Sequence, residues 1–96
     1  MLKSKEKMYL RGLANSMKPV FQIGKEGLKD NTIRDILLYL NKHELMKMKL
    51  LETAALDKEE VISRMEEAEI EVVQVIGRTY LLYKQSDNAE NPIIFK

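Results

Sequence analysis

Two β-rich runs, residues 71–76 and 79–84, are separated only by Gly77 and Arg78. A two-residue connection that begins with glycine is typical of a tight type I′ or II′ hairpin, because glycine accepts the positive φ that these turns require. The two runs are therefore predicted to pair as neighbouring antiparallel strands. This pairing constrains the fold most, because it fixes part of a sheet onto which the rest of the chain must pack.

The segments before this hairpin alternate between helical and β periodicity, in a chain whose 96 residues suit one domain. The predicted elements are a helix over residues 4–16, a strand over 20–23, a helix over 29–42, a strand over 45–51 and a helix that begins at residue 57. Each β-α-β crossover makes its two strands parallel. The predicted fold class is an α/β two-layer sandwich, with an N-terminal helix before β-α-β-α-β-β and a four-stranded mixed sheet.

Capping signals and apolar spacing predict the helix starts and the buried faces. Ser4 is expected to cap the first helix, and Asp57 with Glu60 has the spacing of a capping box at the third. The apolar faces are predicted to contain Met8, Tyr9, Leu13 and Met17, then Leu28, Ile33, Ile36, Leu37 and Leu40, then Met46, Met48 and Leu50, and finally Val61, Met65 and Ala68.

Polar and turn-rich sequence follows the hairpin, up to Ile93, Ile94 and Phe95. Residues 1–84 are therefore predicted to form the domain, and residues 85–96 a loosely ordered C-terminal tail. The sequence leaves open whether the apolar residues near the end fold back onto the domain or reach a partner.

The net charge of +1 is an average over an uneven distribution along the chain. Residues 1–51 carry a net charge of +6, residues 52–71 a net charge of −6 and residues 72–96 a net charge of +1. Such asymmetry within one small domain favours a basic face and an acidic face. Ordinary solvated surfaces account for the same counts equally well, so charge alone does not select a partner.

The most informative motif is Gly24-Lys25-Glu26-Gly27, which lies between a predicted strand and a predicted helix. Two glycines three residues apart allow a sharp turn and a close approach of the backbone to a ligand. The following helix offers unpaired N–H groups and the positive end of its dipole, which suit a phosphate. A Gly-x-x-Gly loop of this kind clamps nucleotide backbone in KH modules. A simple strand-to-helix turn is the alternative interpretation of the same four residues.

Basic residues elsewhere in the first half of the chain support the interpretation of this motif as a phosphate-binding loop. If the first two strands are neighbours, the basic side chains of this half are expected to surround the loop and to bind successive phosphates of a nucleic-acid backbone. The residues predicted to form this nucleic-acid-binding site are Gly24, Lys25, Glu26, Gly27, Lys18, Lys29, Lys5, Lys7, Arg11, Lys47 and Lys49.

Signals for catalysis, cofactors and membranes are missing from the sequence. The chain has no cysteine, and its one histidine, His43, is predicted to lie at the C-terminus of the second helix in a structural role. Tyr80 and Tyr83 alternate within the last strand and are expected to pack rather than to stack on bases. We expect a non-catalytic, intracellular protein without a metal or cofactor site, and recognition by shape and backbone.

Three segments resemble the signature motifs of one known family. They are residues 13–20 with the adjoining residues 23–28, residues 43–49, and residues 73–79 with Leu82 and Tyr83. In this order they are similar to the opening, the middle and the closing hairpin of a CRM domain. The match covers about residues 4–84, and the length is similar to that of the stand-alone bacterial members, the YhbY/YqeI family of single-CRM-domain RNA-binding proteins.

The resemblance implies a fold similar to the C-terminal domain of translation initiation factor three, with RNA binding through the loop and the nearby basic surface. It also implies ribosomal RNA of large-subunit precursors as the partner and the cytoplasm as the location. Glu26 stands where a neutral or basic residue is more usual in the family, and Lys29 stands where a capping Ser or Thr is common. We expect the free protein to be a monomer that can also contact a ribosomal protein.

An alternative function of a different class starts from the predicted third helix. Its acidic residues are Glu59, Glu60, Glu66, Glu67 and Glu69. An adaptor would use this face to dock a basic ribosomal protein or assembly factor. A solvated acidic face that keeps RNA off one side accounts for the same residues.

Overall fold

Three helices and four strands follow one another in the order predicted from the sequence. The computed structural model describes residues 2–95, so Met1 and Lys96, the ends of the predicted domain and tail, lie outside the described residues. The elements are α1 (Ser4–Ala14), β1 (Pro19–Ile23), α2 (Asp30–His43), β2 (Leu45–Leu50), α3 (Lys58–Glu67), β3 (Glu71–Ile76) and β4 (Thr79–Tyr83).

The four strands form one mixed sheet in the order β1-β2-β4-β3. β1 pairs with β2 in parallel, whereas β2 with β4 and β3 with β4 pair antiparallel. The predicted α/β class, the element order and the mixed four-stranded sheet are therefore confirmed. The strand order brings β1, with the glycine motif at its end, directly beside β2.

The predicted hairpin joins β3 to β4. Ile76 pairs with Thr79, and Gly77 has a φ of 58°. Arg78 is not among the residues with positive φ, and a positive φ at the first central position alone is the pattern of a type II′ turn. Glycine at this position removes the steric cost that a Cβ atom would impose.

The main hydrophobic core lies between one face of the sheet and helices α2 and α3. Alternate residues of β2 point into it, namely Met46, Met48 and Leu50, all of which are buried. The helices contribute Ile36, Leu40, Val61 and Met65. The predicted apolar faces of α2, β2 and α3 are thus confirmed for these residues.

Helix α1 packs on the other face of the sheet. Its buried residues are Leu10 and Ala14, and these contact a second cluster that contains Leu45, Val73, Leu81 and Tyr83. The apolar face predicted for this helix was wrong in part, because Met8 is 62% exposed and Leu13 is 39% exposed. Apolar residues occur around most of α1, so spacing alone did not select the side that faces the sheet.

The predicted cap of α1 was also wrong, whereas the predicted cap of α3 was right. The N-cap position of α1 is Lys3, whose backbone N–H donates to the Glu6 carboxylate at 2.8 Å, and Ser4 is the first helical residue. At α3, Asp57 Oδ1 accepts from the backbone N–H of Glu60 at 2.8 Å, as a capping box requires.

The segment after β4 follows the surface of the second cluster. Residues 85–95 form no helix or strand, and Ile93 and Phe95 pack against that cluster. The Phe95 ring meets the rings of Tyr9 and Tyr83 edge-on, at centroid distances of 5.8 Å and 6.0 Å. Ile93 and Phe95 therefore fold back onto the domain, while the division of the chain at residue 84 stays a prediction.

Within residues 2–95, no helix combines the length and the apolar character that crossing a bilayer requires.

Candidate functional site

The glycine motif forms a closed turn between β1 and α2. The backbone N–H of Gly27 donates to the carbonyl oxygen of Gly24 at 3.0 Å, and Gly27 has a φ of 73°. Lys25 and Glu26 occupy the two central positions, and both side chains are exposed. The turn therefore presents one cation and one anion at its tip.

Gly24 allows this turn to lie close to the segment that follows β2. A Cβ atom at Gly24 would lie 3.2 Å from Thr53 Oγ1 and 3.5 Å from the Leu51 side chain. The backbone N–H of Leu51 also donates to the carbonyl oxygen of Ile23 at 2.8 Å. The first glycine thus allows close packing against Thr53 and Leu51, and the second accepts a left-handed backbone.

The N-terminus of α2 has no side-chain cap at its N-cap position, which Lys29 occupies. Asp30 does not replace the missing cap, because its carboxylate contacts the Arg64 guanidinium at 3.3 Å. Arg64 also donates to the carbonyl oxygen of Leu28 at 3.0 Å and so joins α3 to the end of the turn. The first N–H groups of α2 are therefore left for solvent or a ligand, between Lys25 and Lys29.

The hairpin tip lies at the same end of the sheet as the glycine turn. The backbone N–H of Leu50 donates to the carbonyl oxygen of Arg78 at 2.8 Å, and Ile23 pairs in register with Leu50. The exposed Arg78 guanidinium donates to the carbonyl oxygen of Leu51 at 3.3 Å. Arg78 is a cation of this site that the sequence analysis missed, since only the strand order brings the hairpin beside the turn.

Lys49 adds a cation close to the turn. It is exposed, and its position in β2 lies between Met48 and Leu50, so it points away from the main core. It pairs in register with Gln22 on one side and Thr79 on the other. The structure thus brings together Gly24, Lys25, Glu26, Gly27, Lys29, Lys49 and Arg78.

Lys18, Arg11 and Lys47 form a second group further along the α1 side of the sheet. Lys47 is half-buried and donates from Nζ to the carbonyl oxygen of Met17 at 3.1 Å, next to Lys18. Arg11 and Lys47 line one cavity of about 210 Å³ together with Asn15. Through this hydrogen bond, Lys47 stabilises the connection between α1 and β1.

Lys5 and Lys7 lie at the opposite end of the sheet from the turn. Lys7 Nζ is 3.7 Å from a carboxylate oxygen of Glu71, the first residue of β3. Ile76, at the other end of that strand, is next to the hairpin, and five steps along a strand span about 17 Å. The structure does not bring these two lysines to the turn.

A cavity of about 360 Å³ opens beside the turn. It is lined by the turn itself, by the β1 residues Phe21, Gln22 and Ile23, and by Thr32 and Asp35 of α2. Two of its side chains, those of Glu26 and Asp35, are carboxylates that repel a phosphate. Lys25 also lines the cavity, so a neutral group that donates hydrogen bonds suits the two carboxylates and an anion suits the ammonium group.

The other residues singled out in the sequence have structural positions. Tyr80 and Tyr83 are buried, and burial is the main cause that raises the pKa of each phenol above its usual value. His43 is the last residue of α2, with its ring exposed and tilted over the ring of Tyr39 at a centroid distance of 4.3 Å. The prediction that the two tyrosines are packing residues is confirmed by their burial.

Comparison with known proteins identifies relatives over most of the chain. The family model of the CRS1 / YhbY (CRM) domain matches residues 2–84. A Bacillus subtilis protein named "Probable RNA-binding protein YqeI" is 39% identical over 87 residues, which cover 90% of this chain and 91% of that protein. A Haemophilus influenzae protein named "RNA-binding protein" is 34% identical over 90 residues, or 93% of this chain and 91% of that protein.

One solved structure is similar in both sequence and fold. It is the solution structure of the hypothetical protein SAV1595 from Staphylococcus aureus, which is 42% identical and superposes with a TM-score of 0.74. The match covers 91% of this chain and 92% of the other.

Proposed function

The chain belongs to the CRS1 / YhbY (CRM) domain family, and from this premise we propose that it is a non-catalytic RNA-binding protein. The binding site in this proposal is the glycine turn with the cations around it. The observation that carries it is the exposed Lys25 at the tip of a turn that leads into an uncapped helix N-terminus. Backbone N–H groups and mobile lysines together bind phosphate oxygens without reading base sequence.

The proposed RNA is ribosomal RNA of large-subunit precursors, bound during ribosome assembly in the cytoplasm. The names of the Bacillus and Haemophilus relatives support RNA as the ligand class. The resemblance to stand-alone bacterial CRM domains supports the ribosomal substrate. The free protein is proposed to be a monomer, with contacts to ribosomal proteins on the particle.

Within this site, the cations contribute unequally. Lys25, Lys29, Lys49 and Arg78 lie at the end of the sheet that carries the turn, and they are proposed to make the main phosphate contacts. Lys18, Arg11 and Lys47 extend the basic surface along the α1 side. Lys5 and Lys7 are proposed to contribute only long-range attraction, because they lie at the far end and Lys7 is paired with Glu71.

Gel-shift titration of structured ribosomal RNA at several salt concentrations tests the proposal. We expect binding at low salt and a linear fall of log affinity with log salt concentration, because bound lysines release counterions from the phosphates. Absence of binding at low salt, or an affinity that does not change with salt, would contradict it.

A second candidate function is supported by the surface around α3. A groove of about 450 Å³ is lined by Ile62, Ile70 and Val72 and rimmed by Glu66, Glu69 and Glu71. Apolar walls with an acidic rim fit a basic protein segment, so the proposed second function is to dock a ribosomal protein or assembly factor there. Capture of such a partner after nuclease treatment, abolished in Glu66→Lys with Glu69→Lys, tests this function separately from RNA binding.

A further inference from the structure

Three aromatic rings form a continuous row along the outer side of β1 and α2. The rings of Phe21 and Tyr39 meet edge-on at a centroid distance of 6.1 Å, and the ring of His43 tilts over that of Tyr39 at 4.3 Å. Tyr39 and His43 are four residues apart on α2, so they share one helix face. We call Phe21, Tyr39 and His43 the aromatic row.

The aromatic row begins at the cavity beside the glycine turn. Phe21 lines that cavity together with the turn and with Thr32 and Asp35. On α2, positions 32, 35, 39 and 43 follow one another at helical spacing, so cavity and row lie on one stripe of the helix. From Thr32 to His43 this stripe extends about 16 Å at the α-helical rise per residue.

The aromatic row lies beside β1, at an edge where the sheet has no further strand. β1 is the edge strand of the order β1-β2-β4-β3, so it has a strand neighbour on one side only. Phe21 and Tyr39 are half-buried against the main core, and His43 is exposed. Packing against the core therefore accounts for the buried parts of the Phe21 and Tyr39 rings. The exposed ring of His43 does not contribute to the core.

The polar groups of the cavity determine which part of a nucleotide it can take. The carboxylates of Glu26 and Asp35 repel a phosphate and accept hydrogen bonds from the amino groups of adenine, cytosine or guanine, while the ammonium group of Lys25, which also lines the cavity, attracts a phosphate. Lys25 and Lys29 flank the uncapped start of α2. A nucleotide at the turn would thus place its phosphate on the lysines and its base in the cavity.

We propose that the aromatic row and this cavity bind unpaired bases of the RNA strand whose backbone the glycine turn holds. The ligand class is therefore single-stranded RNA, or an unpaired loop of a folded RNA, because base faces and Watson–Crick edges are hidden in a duplex. This inference rests on the proposed function and adds a base-binding surface to its backbone-binding site. Glu26 acts in it as a hydrogen-bond acceptor for a base.

The test compares a short single-stranded RNA that carries a fluorescent adenine analogue with a blunt duplex of the same sequence. The wild-type chain is expected to bind the single strand more tightly and to quench the analogue, because stacking on an aromatic ring changes its emission. The variants His43→Ala and Tyr39→Leu are each expected to bind the single strand about 5-fold or more weakly, with duplex affinity unchanged.

Tyr9→Leu is the matched control for Tyr39→Leu. The Tyr9 ring lies against Phe95 on the other side of the sheet, so its removal is expected to leave RNA affinity unchanged. Thermal unfolding of each variant by circular dichroism verifies folding. His43→Ala changes an exposed side chain, and the quenching in the wild-type chain needs no variant, so a poorly folded Tyr39→Leu does not decide the outcome.

The results separate this inference from the proposed function. Equal binding of duplex and single strand, binding without quenching, or unchanged single-strand affinity in His43→Ala would overturn the base-binding surface while RNA binding stands. Binding of neither RNA at low salt would overturn both. Preference for the single strand, with weakened binding confined to the aromatic-row variants, supports both.

Discussion

The carboxylate of Glu44 accepts a hydrogen bond from the backbone N–H of Ile93 at 2.7 Å, across 49 positions of the sequence. Its other oxygen accepts from the backbone N–H of Ser86, also at 2.7 Å. Glu44 follows α2 with a φ of 65° and is only 2% exposed. One buried side chain thus joins the end of α2 to the tail, and its charge is balanced by two backbone dipoles.

Replacement of Glu44 by glycine is expected to lower the free energy of unfolding by about 2–3 kcal/mol, because two charge-assisted hydrogen bonds to half-buried backbone N–H groups are removed. The measurement is denaturant unfolding, together with hydrogen exchange at the amides of Ser86 and Ile93. Both amides are expected to be protected in the wild-type chain and exposed to exchange in Glu44→Gly.

Glu69→Gly is the matched control, because Glu69 also has a left-handed backbone, with a φ of 60°, but its side chain is exposed. Relief of backbone strain and the greater freedom of glycine in the unfolded chain largely offset each other, so we expect a change within about 1 kcal/mol. Equal effects of the two substitutions would show that the Glu44 carboxylate does not hold the tail.

Gly27→Ala is expected to destabilise the protein by about 1–2 kcal/mol, because alanine at a φ of 73° places its Cβ atom against the following carbonyl oxygen. Gly12→Ala is the control with the same chemical change. Gly12 lies within α1 with no atom near its Cβ position, so alanine there is expected to stabilise by about 0.5–1 kcal/mol. Thermal unfolding of both variants measures the opposite signs. A gain in stability for Gly27→Ala would contradict the assigned turn conformation.

Lys25→Glu combined with Lys18→Glu is expected to weaken RNA binding and to reduce the slope of log affinity against log salt by about 0.7–0.9 for each phosphate that is no longer neutralised. In the proposed site, Lys25 binds a phosphate directly at the turn. Gel-shift titrations at several salt concentrations measure both quantities.

Lys5→Glu with Lys3→Glu makes the same charge change at the far end of α1, where both side chains are exposed. We expect this control to reduce affinity less and to leave the salt slope nearly unchanged. If the two double variants behave alike, binding follows overall charge and the glycine turn is not the binding site.

The free energy of unfolding is expected to decrease in alkaline solution. Burial is the main cause that raises the pKa of Tyr80 and Tyr83 above the usual 10.0, aided by Asp57 for the first and by Glu44 and Glu6 for the second. The folded state therefore holds these two protons more tightly than the unfolded state does. Their contribution to stability is fully present below pH 10.0 and is lost as the pH rises through the folded-state pKa.

Denaturant unfolding at a series of alkaline pH values, with tyrosinate absorbance as a second readout, checks this expectation. Tyr80→Phe with Tyr83→Phe is expected to flatten the decline, because neither position then ionises. Tyr9→Phe, at a half-buried ring, is the control for the loss of a tyrosine hydroxyl as such. A decline as steep in the double variant as in the wild-type chain would assign the alkaline loss of stability to other groups.

The sequence by itself determined the features that depend on residues close together in the chain. Gly77 specified the hairpin through its positive φ, Asp57 and Glu60 specified the start of α3, and the alternation from Met46 to Leu50 specified a strand with one buried face. The resemblance over about residues 4–84 added the family, which the family match over residues 2–84 confirms.

Only the tertiary structure decided the contacts that depend on strand order and register. It selected Leu10 and Ala14 as the buried face of α1, separated Lys7 from the turn, and placed Arg78 beside it. The aromatic row and the bond from Glu44 to Ile93 likewise join residues 18 and 49 positions apart. No local pattern encodes such neighbours, because they meet only when the sheet has brought its edges and its connections together.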